Sequence, residues 1–201
     1  MVTIGFTGHR PSKLGGYNNS SIKNINIRDK FKSLIIRRMK KFIDMGETHF
    51  RFVTGMALGL DTMAFLIVES LKRDFPYLNI EILCAIPFEQ QYSTWTKTQV
   101  NNYFKMLNRA DKVIYVDRLK KYKIKGMVED LFYYEKMQAR NEYMVDISDL
   151  ILGVWDGTKG GTYNCVKYCY KIKVKCIILN PNTLKTKIYK GERAIWERNL
   201  I

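Results

Sequence analysis

No run of apolar residues in this chain approaches the roughly 18 needed to cross a bilayer. The longest, Met63 to Val68, lies inside a short helix-like segment. The N-terminus, MVTIGFTGHR, has no basic stretch ahead of an apolar one, so it does not read as an export signal. A cytoplasmic protein without a membrane partner is expected. Histidine is scarce: only His9 and His49 are present, and neither has ligand spacing to a cysteine. None of the four cysteines, Cys84, Cys165, Cys169 and Cys176, forms a CxxC pair, which argues against a structural metal site. Cys84 and Cys176 sit in apolar strand-like runs and read as buried free thiols, as a reducing compartment allows. Linkers, internal repeats and low-complexity segments are also missing, so one domain over 1–201 is the economical expectation.

Acidic residues are few. Lysine plus arginine number 34 against 19 acids, a net charge of +15. Met1 to Arg28 holds no acid, Lys120 to Lys125 holds four lysines and no acid, and Lys167 to Arg193 has eight basic residues against Glu192 alone. Such a balance favours phosphate-bearing ligands or nucleic acid. The abundance of Lys, Asn and Ile with little Ala also fits an AT-rich genome, which raises lysine content without any functional cause.

Strand-like and helix-like patterns alternate. Apolar runs at Val2 to Thr7, Phe50 to Thr54, Ile80 to Ile86, Lys112 to Val116, Leu150 to Trp155 and Val174 to Leu179 predict six strands. Helices are predicted over 28–44, 57–72, 97–108, 128–148 and 162–172. The second is the clearest, with Leu60, Met63, Ala64, Ile67, Val68 and Leu71 at helical spacing. Residues 119–126 read as a basic loop, and the last twenty residues give no clear pattern. Alternating β and α elements imply an α/β class, Rossmann-like, with a parallel sheet of about six strands and helices on both faces.

Ligands in such folds bind beyond the carboxyl ends of the strands. After the first strand come Gly8, His9 and Arg10: a tight turn, an acid–base or donor group and an anion clamp. After the second, Gly55, Met56 and Gly59 lead into the best helix, with Asp61 in its first turn. Asp61 either complements the helix dipole or binds a hydroxyl. After the third strand, Pro87, Phe88, Glu89 and Gln91, then Trp95, offer a ring and amides for a base or ribose, although Trp95 serves equally as packing. After the fifth, Asp156, Gly157, Gly160, Gly161 and Thr162 make the strongest phosphate cradle, though neither a P-loop nor a GxGxxG fingerprint is present. Arg140 and Asn141 read as a solvated face at mid-helix.

Taken in order, TGHRP at 7–11, GMALGLD at 55–61, IPFEQQ at 86–91, RNEYMVDISD at 140–149 and WDGTKGGT at 155–162 resemble the YpsA-like family of the SLOG superfamily over roughly 1–179. The resemblance implies a Rossmann-like fold and a nucleotide or nucleotide-derived ligand. The superfamily is similar to LOG phosphoribohydrolases, to DprA-type single-strand DNA-binding proteins and to nucleotide-signal sensors of bacterial defence. LOG enzymes carry GTxxE, with a catalytic glutamate; here Gly161-Thr162 is followed by Tyr163, Asn164 and Cys165, so the acid is absent and an enzymatic role stays open. The expectation is a pocket for a nucleotide-like, ADP-ribose-type ligand, without cofactor. A hydrolase of an N-glycosidic or phosphate bond using His9 or Glu89 is one alternative. A basic single-strand nucleic-acid binder related to DprA, using lysines at 120–125 and 167–190, is the other. Self-association into a homo-oligomer, and an origin in a Firmicute or its phage, are further expectations.

Overall fold

The computed structural model describes residues 1–189. Seven strands are ordered β4-β3-β2-β1-β5-β6-β7 in one sheet. They are β1 (Val2–Gly8), β2 (His49–Thr54), β3 (Asn79–Ile86), β4 (Lys112–Tyr115), β5 (Leu150–Val154), β6 (Lys175–Leu179) and β7 (Thr186–Tyr189). All neighbouring pairs from β4 to β6 are parallel, and β7 returns antiparallel to β6. The sheet is therefore mixed, and it has one strand more than the parallel sheet of about six that the sequence predicts. The return is made by a tight turn in which the Asn180 side-chain oxygen accepts the amides of Asn182 and Thr183 at 2.8 and 3.1 Å. A connection this short joins antiparallel strands only.

Five helices accompany the strands: α1 (Ile22–Ile43), α2 (Leu60–Asp74), α3 (Lys97–Leu107), α4 (Tyr134–Asp146) and α5 (Gly161–Lys171). None of the described helices is long and apolar enough to cross a membrane. α1 starts six residues earlier than the periodicity predicts, because Ser21 caps it by accepting the Asn24 amide at 3.3 Å. Asn24 is buried and donates to the carbonyls of Gly16 and Asn18. A polar side chain inside the apolar face hid the first turns. α4 is shorter than expected. Residues 128–133 are held out of helix by the buried Lys136–Asp117 pair: Lys136 also donates to the Val128 carbonyl at 2.7 Å and Asp117 accepts the Asp130 amide at 2.9 Å.

Alternate residues of a strand point to opposite sheet faces. On β5, Leu150, Leu152 and Val154 join the main core with Phe31 of α1 and Phe65 of α2, while Ile151 joins Cys165 and Cys169 of α5 in a second cluster. Phe6 of β1 stacks on Phe52 of β2 at 5.7 Å and meets Phe31 edge-on at 5.8 Å, fixing α1 across the central strands. The strand order reverses direction beside β1, between β2 and β5. The loops leaving β1 and β5 therefore open side by side, at the switch point where open α/β sheets form clefts.

Candidate functional site

A cleft of about 330 Å³ opens at this switch point. Its walls come from the loops after β1, β2 and β5 and from one face of α4. The β1 loop is pinned on both sides: the His9 amide donates to the Val154 carbonyl and the Leu60 amide donates to the His9 carbonyl, each at 3.1 Å. Gly59 has φ +113, and a Cβ there would lie 2.4 Å from the His9 carbonyl oxygen. Only glycine lets α2 begin so close to the β1 loop.

His9 lines the cleft and is 7% exposed. Its Nε2 stands 2.7 Å from Asp156 Oδ1. The Asp156 backbone amide also lies 3.1 Å from the same Nε2, so one residue holds the ring through both its carboxylate and its main chain. Burial lowers the His9 pKa despite the opposing pull of Asp156. Burial alone would raise the Asp156 carboxyl, but hydrogen bonds from the Thr158 hydroxyl and amide, then His9, hold it well below the usual range. The Thr158 hydroxyl also receives Lys13, and its carbonyl accepts Trp155 Nε1–H at 2.7 Å. The β5–α5 loop thus has a fixed shape before any ligand arrives.

Behind the β2 turn lies a buried ion pair. Arg140 Nη1 of α4 is 3.3 Å from Asp61 Oδ2 of α2, with side chains only 7% and 8% exposed. Asp61 also accepts the Ala57 amide at 3.2 Å. Burial pushes the Asp61 carboxyl up, while Arg140, the Ala57 amide and Arg10 oppose it. A Cβ on Gly55 would lie 1.1 Å from Arg140 Nη1, so glycine at this position makes room for the guanidinium. Arg140 Nε is buried and has no hydrogen-bond partner among the described residues.

The opposite wall is the start of α5. Gly160 precedes it and provides no side-chain cap. The first-turn N–H groups of a helix have no intrahelical acceptor and carry the positive end of the dipole. Gly160, Gly161 and Thr162 all line the cleft, and Asn141 of α4 donates to the Gly161 carbonyl at 3.5 Å. Arg10, Lys13 and Lys159 add positive charge, against Asp61 as the one lining acid among the described residues.

Of the residues singled out from sequence, Gly8, His9, Arg10, Asp61, Gly160, Gly161 and Thr162 come together in the cleft. Asp156 backs His9, and Gly157 sits in the same loop without lining it. Gly55, Met56 and Gly59 shape the floor from behind; Met56 is fully buried in the main core. The loop after β3 is elsewhere. Pro87 is buried, and Phe88 is wholly buried against Phe132, with ring centroids 5.6 Å apart. Gln91 is buried and points its amide at Gly55, Met56 and Tyr103. Trp95 packs edge-on against Tyr103 at 5.4 Å, and Glu89 pairs with Arg118 on an exposed surface. None of these five lines the cleft. The apolar faces of the loop satisfy the core instead.

Sequence reasoning predicted the helix but missed that α4 forms a wall of the cleft. Arg140 is 6% exposed, which corrects its reading as a solvated residue. Met137, Arg140 and Asn141, at i, i+3 and i+4, all line the cleft. That spacing was the available signal. Cys165, at the position of the LOG glutamate, is buried; a hydrogen bond with Cys169 and then burial raise its thiol pKa well above the ordinary value. It is neither exposed nor activated as a nucleophile.

The family model described as the YspA SLOG family matches residues 4–176. The chain belongs to this SLOG family. It is 41% identical over 147 residues to the uncharacterized SPbeta prophage-derived protein YoqJ of Bacillus subtilis, covering 73% of this chain and 82% of YoqJ. A UPF0398 protein of Halalkalibacterium halodurans is 25% identical over 162 residues, with 81% and 76% covered. Among solved structures, this SLOG chain is similar to DNA processing protein A of Helicobacter pylori, described in terms of single-stranded DNA binding. The TM-score is 0.52 at 14% identity, with 88% of this chain and 64% of that chain covered. DprA of Streptococcus pneumoniae gives a TM-score of 0.52 at 11% identity, with 89% and 50% covered. The chain thus spans less than two thirds of either DprA chain, and identities this low speak to the Rossmann-like fold alone.

Proposed function

We infer that the cleft binds a nucleotide-like, phosphate-bearing ligand of the ADP-ribose type. The phosphate would sit at the amino end of α5. One observation carries the reading: uncapped amides at Gly161 and Thr162 share a cleft with Arg140, whose buried Nε lacks a partner among the described residues. Unpaired buried donors are costly, and an anion would satisfy both groups at once. Arg10 and Lys13 add charge at the rim. The volume lies at the low end of the roughly 300–1,000 Å³ usual for small-molecule sites.

Thermal denaturation with a ligand panel tests this. ADP-ribose, ADP and ribose 5-phosphate should raise the melting temperature, adenosine should not, and Gly161→Asp should abolish the shift. A ligand at 100 times its Kd adds about 2.7 kcal/mol, which is readily measured. No shift with any phosphate-bearing compound, or a shift that survives Gly161→Asp, refutes the reading. If the ligand is also a substrate, His9 is the acid–base candidate at hand. Base or phosphate would then be released on incubation, and release would stop in His9→Ala.

A second reading is favoured by the DprA likeness and the charge of +15: a single strand of nucleic acid laid across the same cleft. Its phosphates would meet the same amides. It predicts a cleft component of oligonucleotide affinity that falls with salt and is removed by Gly161→Asp.

A further inference from the structure

Outside the cleft, α1 is the described helix with the most basic residues. This helix carries eight basic residues and a single acid, Asp29, which pairs with its neighbour Arg28 at 3.1 Å. At about 100° per residue, Lys23, Lys30, Arg37 and Lys41 fall within about 40° of arc, a stripe about 27 Å long. All four are exposed, and Lys40 is exposed beside them. Lys30, Arg37, Lys40 and Lys41 make no ion pair among the described residues. Lys23 reaches Asn182, an uncharged partner, at 2.8 Å. By contrast, lysines in the 120–125 loop are partly neutralised, Lys121 by Asp146 and Lys123 by Glu129. No residue of α1 lines the cleft.

We propose that the exposed face of α1, centred on Lys30, Arg37 and Lys41, is a docking surface for the phosphodiester backbone of nucleic acid, separate from the cleft. The match is one of charge and shape. A straight row of unneutralised cations of this length faces about eight phosphates of one strand, at roughly 3.4 Å of rise each. An anionic membrane fits less well. The apolar face of α1 (Ile27, Phe31, Leu34, Ile35) is locked in the main core, leaving nothing along the stripe to insert. The contacts are to backbone, so sequence preference is not expected.

The test is fluorescence anisotropy of the full chain with labelled thirty-nucleotide single strands and duplexes, between 0.05 and 0.2 M salt. The variant is Lys30→Gln with Arg37→Gln and Lys41→Gln; all three sites are exposed, and an unchanged melting temperature verifies folding. Removing three phosphate contacts should lower the slope of log affinity against log salt by about 2 for single strands and about 2.7 for duplex. The corresponding loss is about 100-fold or more at 0.1 M salt. Gly161→Asp should leave this α1-dependent component in place, so failure of the cleft reading and failure of this one are distinguishable. The proposal is overturned if the triple variant keeps the parent slope. It is equally overturned if only Gly161→Asp reduces binding, or if polyglutamate or anionic vesicles bind as tightly as the oligonucleotides.

Discussion

Arg140→Met tests the centre of the site most directly. The substitution roughly keeps the side-chain volume but removes the buried cation paired with Asp61, 79 positions away in sequence. Breaking one side of a buried ion pair costs about 3–5 kcal/mol, because the remaining charge stays desolvated. Folded chains of this size are stable by about 5–15 kcal/mol, so about a fifth or more of the total is at stake. At about 2–4 °C per kcal/mol, the melting temperature should fall by about 6–20 °C. The loss should also depend on pH. Burial already raises the Asp61 carboxyl in the folded chain. Without Arg140, the folded pKa rises further above the unfolded value of about 4. A carboxyl shifted this way binds its proton better when folded, so stability is lost as pH rises through the window above pH 4 and returns as pH falls. Urea unfolding at pH 5 and pH 8 should therefore show a smaller deficit at the lower pH. Adding Asp61→Asn should restore much of the loss, since a neutral pair leaves no buried charge. A deficit under about 1 kcal/mol, no dependence on pH, or a double variant as weak as the single one refutes the reasoning.

Gly55→Ala places a methyl where the Arg140 guanidinium lies, 1.1 Å from Nη1. It should cost about 1–3 kcal/mol in urea unfolding and weaken phosphate binding in the cleft. The His9 ring, followed by proton NMR, should titrate below its ordinary value of about 6.5, because burial lowers it. Stability tied to neutral His9 is then complete above that pH and declines as pH falls through the folded pKa; a midpoint above 6.5 contradicts the placement. Cys165 should resist thiol reagents in the native protein and react only on unfolding, as its burial and raised pKa require. Phe88→Ala should cost about 3–5 kcal/mol in stability without changing ligand affinity, since its ring fills the core and not the cleft.

The sequence alone determined the class of fold and the position of the cleft. Both follow from local rules: apolar runs of strand length, helical spacing such as Leu60 to Leu71, and glycine-rich turns after β1, β2 and β5. In a βαβ chain, turns at the carboxyl ends of parallel strands gather at one edge, so Gly8, Arg10 and Gly160–Thr162 could be grouped before any coordinates. Tertiary structure decided what fills that edge. Phe88, Gln91 and Trp95 belong to a loop of the right kind but turn inward, because burying rings and satisfying the carbonyls of Gly55 and Met56 outweighs exposing them. Arg140 looks like an ordinary charged residue of a helix until Asp61 and the space above Gly55 are brought against it. The pairing of residues far apart in sequence has no periodicity to betray it. The return of β7 escaped notice for another reason: its turn is closed locally at Asn180, but the strand itself, Thr186–Tyr189, is mostly exposed and carries no apolar run to mark it.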